Sequence, residues 1–171
     1  MTFSIASIKK YIPFVFLVTG QCSCKKFVQV SPPESQLETG MIFSSDPTAI
    51  NAMIGVYSRA MASSGYLFDG GMSLYPGLSS DELYPTTSIS TIEAFFDNTL
   101  TPNNPNVSSL YSSAYSSIYD ANNMMQNLAA SPGVSDSTKK RLTGEAAFIR
   151  ALTYFCIVNL FGEVPLITST D

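Results

Sequence analysis

The sequence of 171 residues contains no histidine and no tryptophan. Without histidine, Ser-His-Asp triads and histidine-ligated metal sites are excluded within these residues, and no metal ion or cofactor is predicted. Cysteine is also scarce. Cys22 and Cys24 lie near the first residue, and Cys156 lies in an apolar stretch where a free cysteine usually packs as a small hydrophobic side chain. No disulfide framework is therefore predicted.

Positive charge is missing from a long central stretch. No lysine or arginine occurs between Arg59 and Lys139. The acidic residues of the same stretch are Asp69, Asp81, Glu82, Glu93, Asp97, Asp120 and Asp136. Nucleic-acid binding is excluded by this distribution, because a phosphate backbone demands cations. The stretch is rich in Ser, Thr, Asn and Tyr, which suits neutral hydroxylated ligands and suits ordinary extracellular loops equally well.

The first residues have the pattern of an export signal. Two lysines precede a short apolar run, residues 11–18, which Pro13 interrupts. The run is far shorter than the roughly 20 residues that span a bilayer, so a retained transmembrane helix is not expected. Cys24 follows a small residue and Cys22 follows glutamine. Residues 1–23 are therefore predicted to be a lipoprotein signal peptide, with Cys24 as the acylated first residue and Cys22 as the alternative.

Residues 24–44 contain two prolines, a glycine and scattered polar residues, which predicts an extended tether. Residues 45–171 then form a helical domain. Its first helix is predicted to run from Asp46, as the N-cap, with Pro47 at the first helical position, to about Ser63. The inward face of this helix is expected to carry Ile50, Met53, Ile54, Tyr57 and Met61.

Three further segments complete the expected domain. Residues 65–105 are rich in turn-forming residues and are predicted to be a loop region with a short helix near 89–96. A second long helix is predicted over 107–130, with a tyrosine stripe on one side, and a third begins near Ser135 or Asp136. The inward positions of the second long helix are expected to be Leu110, Ala114, Ile118, Met125 and Leu128. Three long helices cannot cover one another fully, so a large apolar surface is expected.

The third long helix is apolar on nearly all sides between residues 146 and 161, and is expected to be buried among other helices. Gly162 is predicted to end it, and Pro165 prevents the helix from resuming. Arg150 is charged within this apolar run, and a buried guanidinium needs a partner. Glu145 lies about 140° away around the helix, so the partner must come from another helix. Glu145, Arg150, Gly162 and Pro165 are therefore interpreted as structural.

The same run carries the family resemblance. It resembles a signature of the SusD/RagB family of outer-membrane nutrient-binding lipoproteins. The matching positions are Gly144, Glu145, Ala146, Phe148, Arg150, Ala151, Tyr154, Phe155, Val158, Phe161, Gly162, Val164, Pro165 and Leu166. Ala147 departs from the pattern, where the family usually has arginine. Weaker likenesses are the opening Cys24–Val28, the helix from Asp46 to Tyr57, the pair Asn122-Asn123 and the segment Ser80-Asp81-Glu82.

The resemblance implies a mainly α fold, a tetratricopeptide-like helical stack with long irregular loops. It covers only the N-terminal portion of family members, which are considerably longer. The helical domain over residues 45–171 is therefore expected to be the incomplete N-terminal part of a SusD-like fold. The sequence itself contains no strict internal repeat that would indicate such a stack of helix pairs.

Candidate ligand contacts lie in the loop region. Asp81 and Glu82 match a family segment near the binding face, and Tyr84, Phe95 and Phe96 are candidate platforms for sugar rings. Each aromatic residue could instead pack beneath its own loop. A glycosidase needs two carboxyl groups facing each other across a sugar, which adjacent residues rarely achieve, so no enzymatic activity is predicted.

The resemblance implies a surface-exposed, lipid-anchored protein of the outer membrane. Such a protein captures oligosaccharides and delivers them to a SusC-like TonB-dependent transporter. The alternative is a helical scaffold or partner-binding lipoprotein without a sugar site of its own.

Overall fold

A computed structural model describes residues 39–61 and 67–170. The predicted signal peptide, the predicted acylation site at Cys24 and residues 24–38 of the predicted tether lie outside the described residues. Within the described ranges the chain is mainly helical and contains no strand, which confirms the predicted fold class. The tetratricopeptide-like stacking stays a prediction.

The first helices of the described chain are the short α1, Thr39–Ile42, and α2, Asp46–Ala60. The N-cap of α2 is Ser45, in an extended conformation, so the predicted cap at Asp46 is wrong by one position, and the helix ends before Ser63. Phe43, between the two helices, is buried. Residues 39–44 therefore belong to the helical domain, and the tether prediction is wrong for them because an apolar side chain anchors them to the core.

The buried face of α2 also differs from the prediction. Ala49, Met53 and Val56 are buried, whereas Ile54 is 58% exposed and Tyr57 and Met61 are exposed. Of the five residues predicted to point inward, Met53 alone is fully buried and Ile50 is half-buried. The buried side of α2 is set by the residues of other elements that it packs against, which a local apolar period does not record.

Residues 67–100 contain more helix than the sequence predicted. An irregular turn over Leu67–Gly71 leads into α3, Met72–Ser79, and α4 follows at Ser90–Phe96. The predicted short helix near 89–96 is confirmed, whereas α3 was missed. Pro76 lies inside α3 and removes one backbone hydrogen bond, which argues against a helix locally. Burial of Tyr75 and Leu78 offsets that loss.

Two long helices, α5 at Pro105–Ala130 and α6 at Asp136–Phe161, form a hairpin across the domain. Asn104 caps α5, since its side chain accepts a hydrogen bond from the backbone N–H of Asn106 at 2.9 Å. Ser135 caps α6 in the same way, and Gly162, with a φ of 75°, ends it. The predicted boundaries are confirmed to within about two residues, because these ends carry explicit capping residues.

The helices enclose two hydrophobic cores. The first core joins α2 to the hairpin and contains Phe43, Ala49, Met53, Val56, Ala121, Met124, Leu128, Val134, Leu142, Ala146 and Ile149. The second joins α3 and α4 to the other half of the hairpin and contains Leu67, Tyr75, Leu78, Phe95, Leu110, Ala114, Ile118, Cys156 and Ile157. Four of the five inward positions predicted for α5 are buried, and Met124 takes the place of Met125, which is half-buried.

One face of α6 points away from both cores. Phe148 and Phe155 are 64% and 67% exposed, and Leu152 and Val158 also face outward. The expectation that this helix is buried on all sides is therefore wrong, whereas the expectation of a large apolar surface is confirmed. By length and composition alone, α6 could cross a membrane. Within its most apolar stretch, 28% is buried in the protein. Its other face packs against α5 and α2.

A polar clasp joins the start of α2 to the turn between α5 and α6. Asp46 accepts hydrogen bonds from the backbone N–H of Ser135 at 2.7 Å and from the hydroxyls of Ser135 and Thr138 at 2.6 and 2.8 Å. Ser131 donates to the Phe43 carbonyl at 2.5 Å. We call these five residues the N-terminal clasp. The hydrogen bonds from Ser135 are the main cause that lowers the pKa of Asp46 below its usual value.

Candidate functional site

The exposed turn after α3 contains three of the predicted ligand residues. Asp81 adopts the left-handed conformation, with a φ of 61°, and the chain then folds back so that the N–H of Leu83 donates to the Gly77 carbonyl at 2.9 Å. Asp81 and Glu82 are exposed, and Tyr84 is 76% exposed. We call residues 80–84 the Asp81 turn. It presents two hydrogen-bond-accepting carboxylates and one free aromatic ring on a single short segment.

The two phenylalanine candidates are not part of this exposed surface. Phe95 is 4% exposed, and its ring stacks on Tyr75 with 4.5 Å between centroids. Phe96 is half-buried against the second core. The ring of Phe95 is covered, which contradicts its role as a sugar platform, whereas Phe96 is half-buried and its role as a platform stays a prediction. Burial of apolar surface in the second core holds both rings in place.

The Asp81 turn is fixed to α4 from behind. The Ser79 hydroxyl donates to the Phe95 carbonyl at 3.1 Å, and the Asn98 side chain donates to the Ser79 carbonyl at 3.5 Å. Beside these contacts lies a cavity of about 480 Å³, lined mostly by apolar side chains from α3, α4, the loop before α5, the start of α5 and the end of α6. These contacts hold the Asp81 turn in place, so the turn loses less conformational entropy when a ligand binds to it.

Arg150 has a hydrogen-bond partner on another helix, as the sequence predicted. Its Nη1 donates to the Oδ1 of Asn122 on α5 at 2.7 Å, so the partner is a neutral amide. The amide nitrogen of Asn122 donates in turn to the carbonyls of Ile167 and Ser169, both at 3.2 Å. Asn122 was not selected from the sequence as a site residue. The sequence feature that could have identified Asn122 is a polar residue at a position that the apolar period of α5 places in the core.

The remaining residues interpreted as structural also have defined contacts. Glu145 lies 3.7 Å from Arg141 on the same helix and accepts a hydrogen bond from Tyr57 at 3.4 Å. The Pro165 carbonyl accepts hydrogen bonds from the phenols of Tyr115 at 2.8 Å and Tyr154 at 3.3 Å. The chain after Gly162 is therefore held along the hairpin. Burial is the main cause that raises the pKa of Tyr115 to about 12, so this phenol stays protonated as a donor.

Metal binding and thiol chemistry find no support in the described part of the chain. Within residues 39–61 and 67–170, no group of three Cys, Asp or Glu side chains is placed to hold a metal ion. Cys156 is a buried free thiol, and burial raises its pKa, which disfavours the reactive thiolate.

Comparison with known proteins identifies the family. A family model described as starch-binding and associating with the outer membrane, SusD-like, matches residues 26–171. A SusD-like protein from Formosa agariphila is 28% identical over 169 residues, which cover 94% of this chain and 32% of the relative. The chain thus spans about a third of the length of that relative. No solved structure matches significantly. Because the family model covers most of the chain, the protein belongs to the SusD-like family.

Proposed function

We propose that this protein is a surface-exposed lipoprotein of the outer membrane that captures oligosaccharides and passes them to a SusC-like TonB-dependent transporter. Membership of a family described as starch-binding is the observation that carries the proposal. The transporter and the surface location come from the resemblance in residues 144–166. Lipid anchoring is supported by the lysines, the short apolar run and Cys24 at the start of the chain.

Within the described chain, the Asp81 turn supports glycan binding. The apolar C–H face of a sugar ring can pack on the Tyr84 ring, while carboxylates accept hydrogen bonds from sugar hydroxyls. The turn contains no cation, and the ligand it suits best is neutral. No bond-breaking chemistry is proposed, because Asp81 and Glu82 are adjacent in one exposed turn and do not face each other across a cleft.

Calorimetric titration of the mature protein with malto-oligosaccharides and other neutral glycans tests the proposal. Tyr84→Ala should weaken binding about tenfold, since loss of one stacked ring typically costs about 1–1.5 kcal/mol. Tyr84→Phe keeps the ring and should bind like the parent. Asp81→Asn removes the charge while tolerating the left-handed conformation, and should also weaken binding. Failure of the unaltered protein to bind any glycan would refute the proposal.

The exposed apolar face of α6 favours the alternative function, a helical scaffold that binds a partner. Phe148 and Phe155 present large apolar surfaces, and contiguous exposed apolar surface often marks an interaction site. A scaffold predicts binding of a hydrophobic dye that Phe155→Ser reduces, together with no affinity for glycans. Dye binding combined with saturable glycan binding would instead leave the glycan-binding function in place.

A further inference from the structure

A shallow groove crosses the exposed face of α5, from the side of α2 to the segment after α6. Three cavities of about 310, 520 and 260 Å³ lie along it in succession. The first and second share Arg59, Ser112, Ser116 and Asp120, and the second and third share Tyr115 and Tyr119. We call this feature the Arg59 groove. It extends from Phe68 at one end to Thr170 at the other.

The groove arises from a short repeat in α5. Residues 108–119 read Ser-Ser-x-Tyr three times in succession, where x is Leu110, Ala114 and Ile118. A repeat of four residues drifts by only about 40° per step on a helix, so each position of the repeat follows one strip of the surface. The x residues are buried in the second core. The repeat residues that line the groove are Ser109, Ser112, Ser113, Tyr115, Ser116, Ser117 and Tyr119. The tyrosine stripe was predicted from the sequence, whereas the serine positions of the repeat were not.

The serine hydroxyls leave oxygen acceptors facing the groove. Ser116 donates its hydroxyl proton to the Ser112 carbonyl at 2.9 Å, and Ser117 donates to the Ser113 carbonyl at 3.1 Å. Ser112 donates to the Ser108 carbonyl in the same way. A hydroxyl has one proton to donate and two acceptor lone pairs. Because the protons are committed to the helix, this wall suits a ligand that supplies its own O–H donors.

An ion pair in the middle of the groove supplies the complementary groups. The Nε of Arg59 lies 2.9 Å from a carboxylate oxygen of Asp120. Within the described residues this is the hydrogen bond that Arg59 makes, which leaves the terminal guanidinium nitrogens as donors and the second carboxylate oxygen as an acceptor. The pair has no net charge. An anionic ligand would have to compete with Asp120, and a cationic ligand with Arg59, so the groove selects a neutral one.

We propose that the Arg59 groove is a binding site for a neutral oligosaccharide, whose hydroxyls bond to Arg59, Asp120 and the α5 serines and whose rings lie over Tyr119. The three adjoining depressions offer more than one place for a sugar unit. Tyr119 offers a half-exposed ring for the apolar face of a sugar. The inference rests on the proposed glycan-binding function and adds a second contact region, on different residues from the Asp81 turn.

Titration of the mature protein with maltoheptaose, cellohexaose and an oligogalacturonate tests the site. Asp120→Asn and Arg59→Gln should each weaken binding of the best neutral glycan at least tenfold, and Ser116→Ala more modestly. Arg141→Gln is the matched control, because it removes an exposed arginine from a different ion pair and should bind like the parent. Exposed ion pairs contribute little to stability, so the variants should stay folded by thermal melting.

The outcomes separate this site from the proposed function. Glycan binding by the parent that is unchanged in Asp120→Asn, Arg59→Gln and Ser116→Ala would refute the groove and leave the proposed function standing. Weakening in Tyr84→Ala alone would assign binding to the Asp81 turn and also refute the groove. Binding of the oligogalacturonate in preference to both neutral probes would overturn the neutral class. No binding of any probe by the parent would refute both.

Discussion

Replacing Asn122 should destabilise the fold far more than replacing its neighbour. The Asn122 side chain is 1% exposed and makes three hydrogen bonds, one from Arg150 and two to the segment after α6. Loss of a hydrogen bond to a charged group costs about 1.5–3 kcal/mol. The carbonyls of Ile167 and Ser169 can accept hydrogen bonds from water instead, so losing these two bonds adds little to the cost. The space left by the side chain adds roughly 1 kcal/mol. Asn122→Ala should therefore cost about 2.5–4 kcal/mol.

Chemical denaturation measures this difference directly. Asn123→Ala is the matched control, because the Asn123 side chain accepts a hydrogen bond from Asn127 on the same helix and makes no contact with the segment after α6. It should cost less than about 1 kcal/mol. A double-mutant cycle with Arg150→Ala should give a coupling of about 1–2 kcal/mol, since the two side chains share one hydrogen bond. Equal denaturation midpoints for Asn122→Ala and Asn123→Ala would refute the reasoning.

Three further predictions concern other parts of the chain. Gly133→Ala places a Cβ 2.2 Å from a backbone carbonyl oxygen and should lower the melting temperature sharply, whereas Gly144→Ala has open space around it and should be neutral or stabilising by about 0.5–1 kcal/mol. Folding lowers the pKa of Asp46, so its carboxylate stabilises the fold above the usual pKa of 3.8, and this stabilisation is lost as pH falls through the lower folded pKa. In unfolding measured against pH, Asp46→Asn should therefore reduce the loss of stability at acid pH. Cys24→Ala should release the protein from membranes and abolish fatty-acid labelling, and labelling that disappears only in Cys22→Ala would reassign the acylated residue.

The sequence was sufficient where the determinants are local. The start and end of α6 were predicted because Ser135 and Gly162 act on the backbone within one turn of themselves, whereas the start of α5 was placed two residues too late because Pro105 was assigned to the loop region. The helix α3 was missed because its local signals, including Pro76, oppose helix formation and tertiary burial overrides them. The apolar period predicted correctly that α2 has a buried side, but it selected the wrong residues for that side apart from Met53 and, in part, Ile50.

The candidate site was less predictable than the helices. Of the aromatic candidates, Tyr84 is exposed and Phe95 is buried, and the sequence left both outcomes open because exposure of an aromatic residue depends on which distant residues cover it. The need for a partner of Arg150 followed from burial of its charge. The identity of that partner, Asn122, could not follow, since it is set by the alignment of two helices and the residues lie 28 positions apart.

The N-terminal clasp has a consequence for the order of folding. The hairpin of α5 and α6 joins segments that are adjacent in the chain, so it can form early at little cost in chain entropy. The hydrogen bonds of the clasp join residues separated by 88 to 92 positions, and closing so long a loop is favoured only once the hairpin exists. We expect the clasp to form after the rate-limiting step. Removing it should then accelerate unfolding and leave the folding rate almost unchanged, which makes residues 43–46 the first part of the described chain to detach.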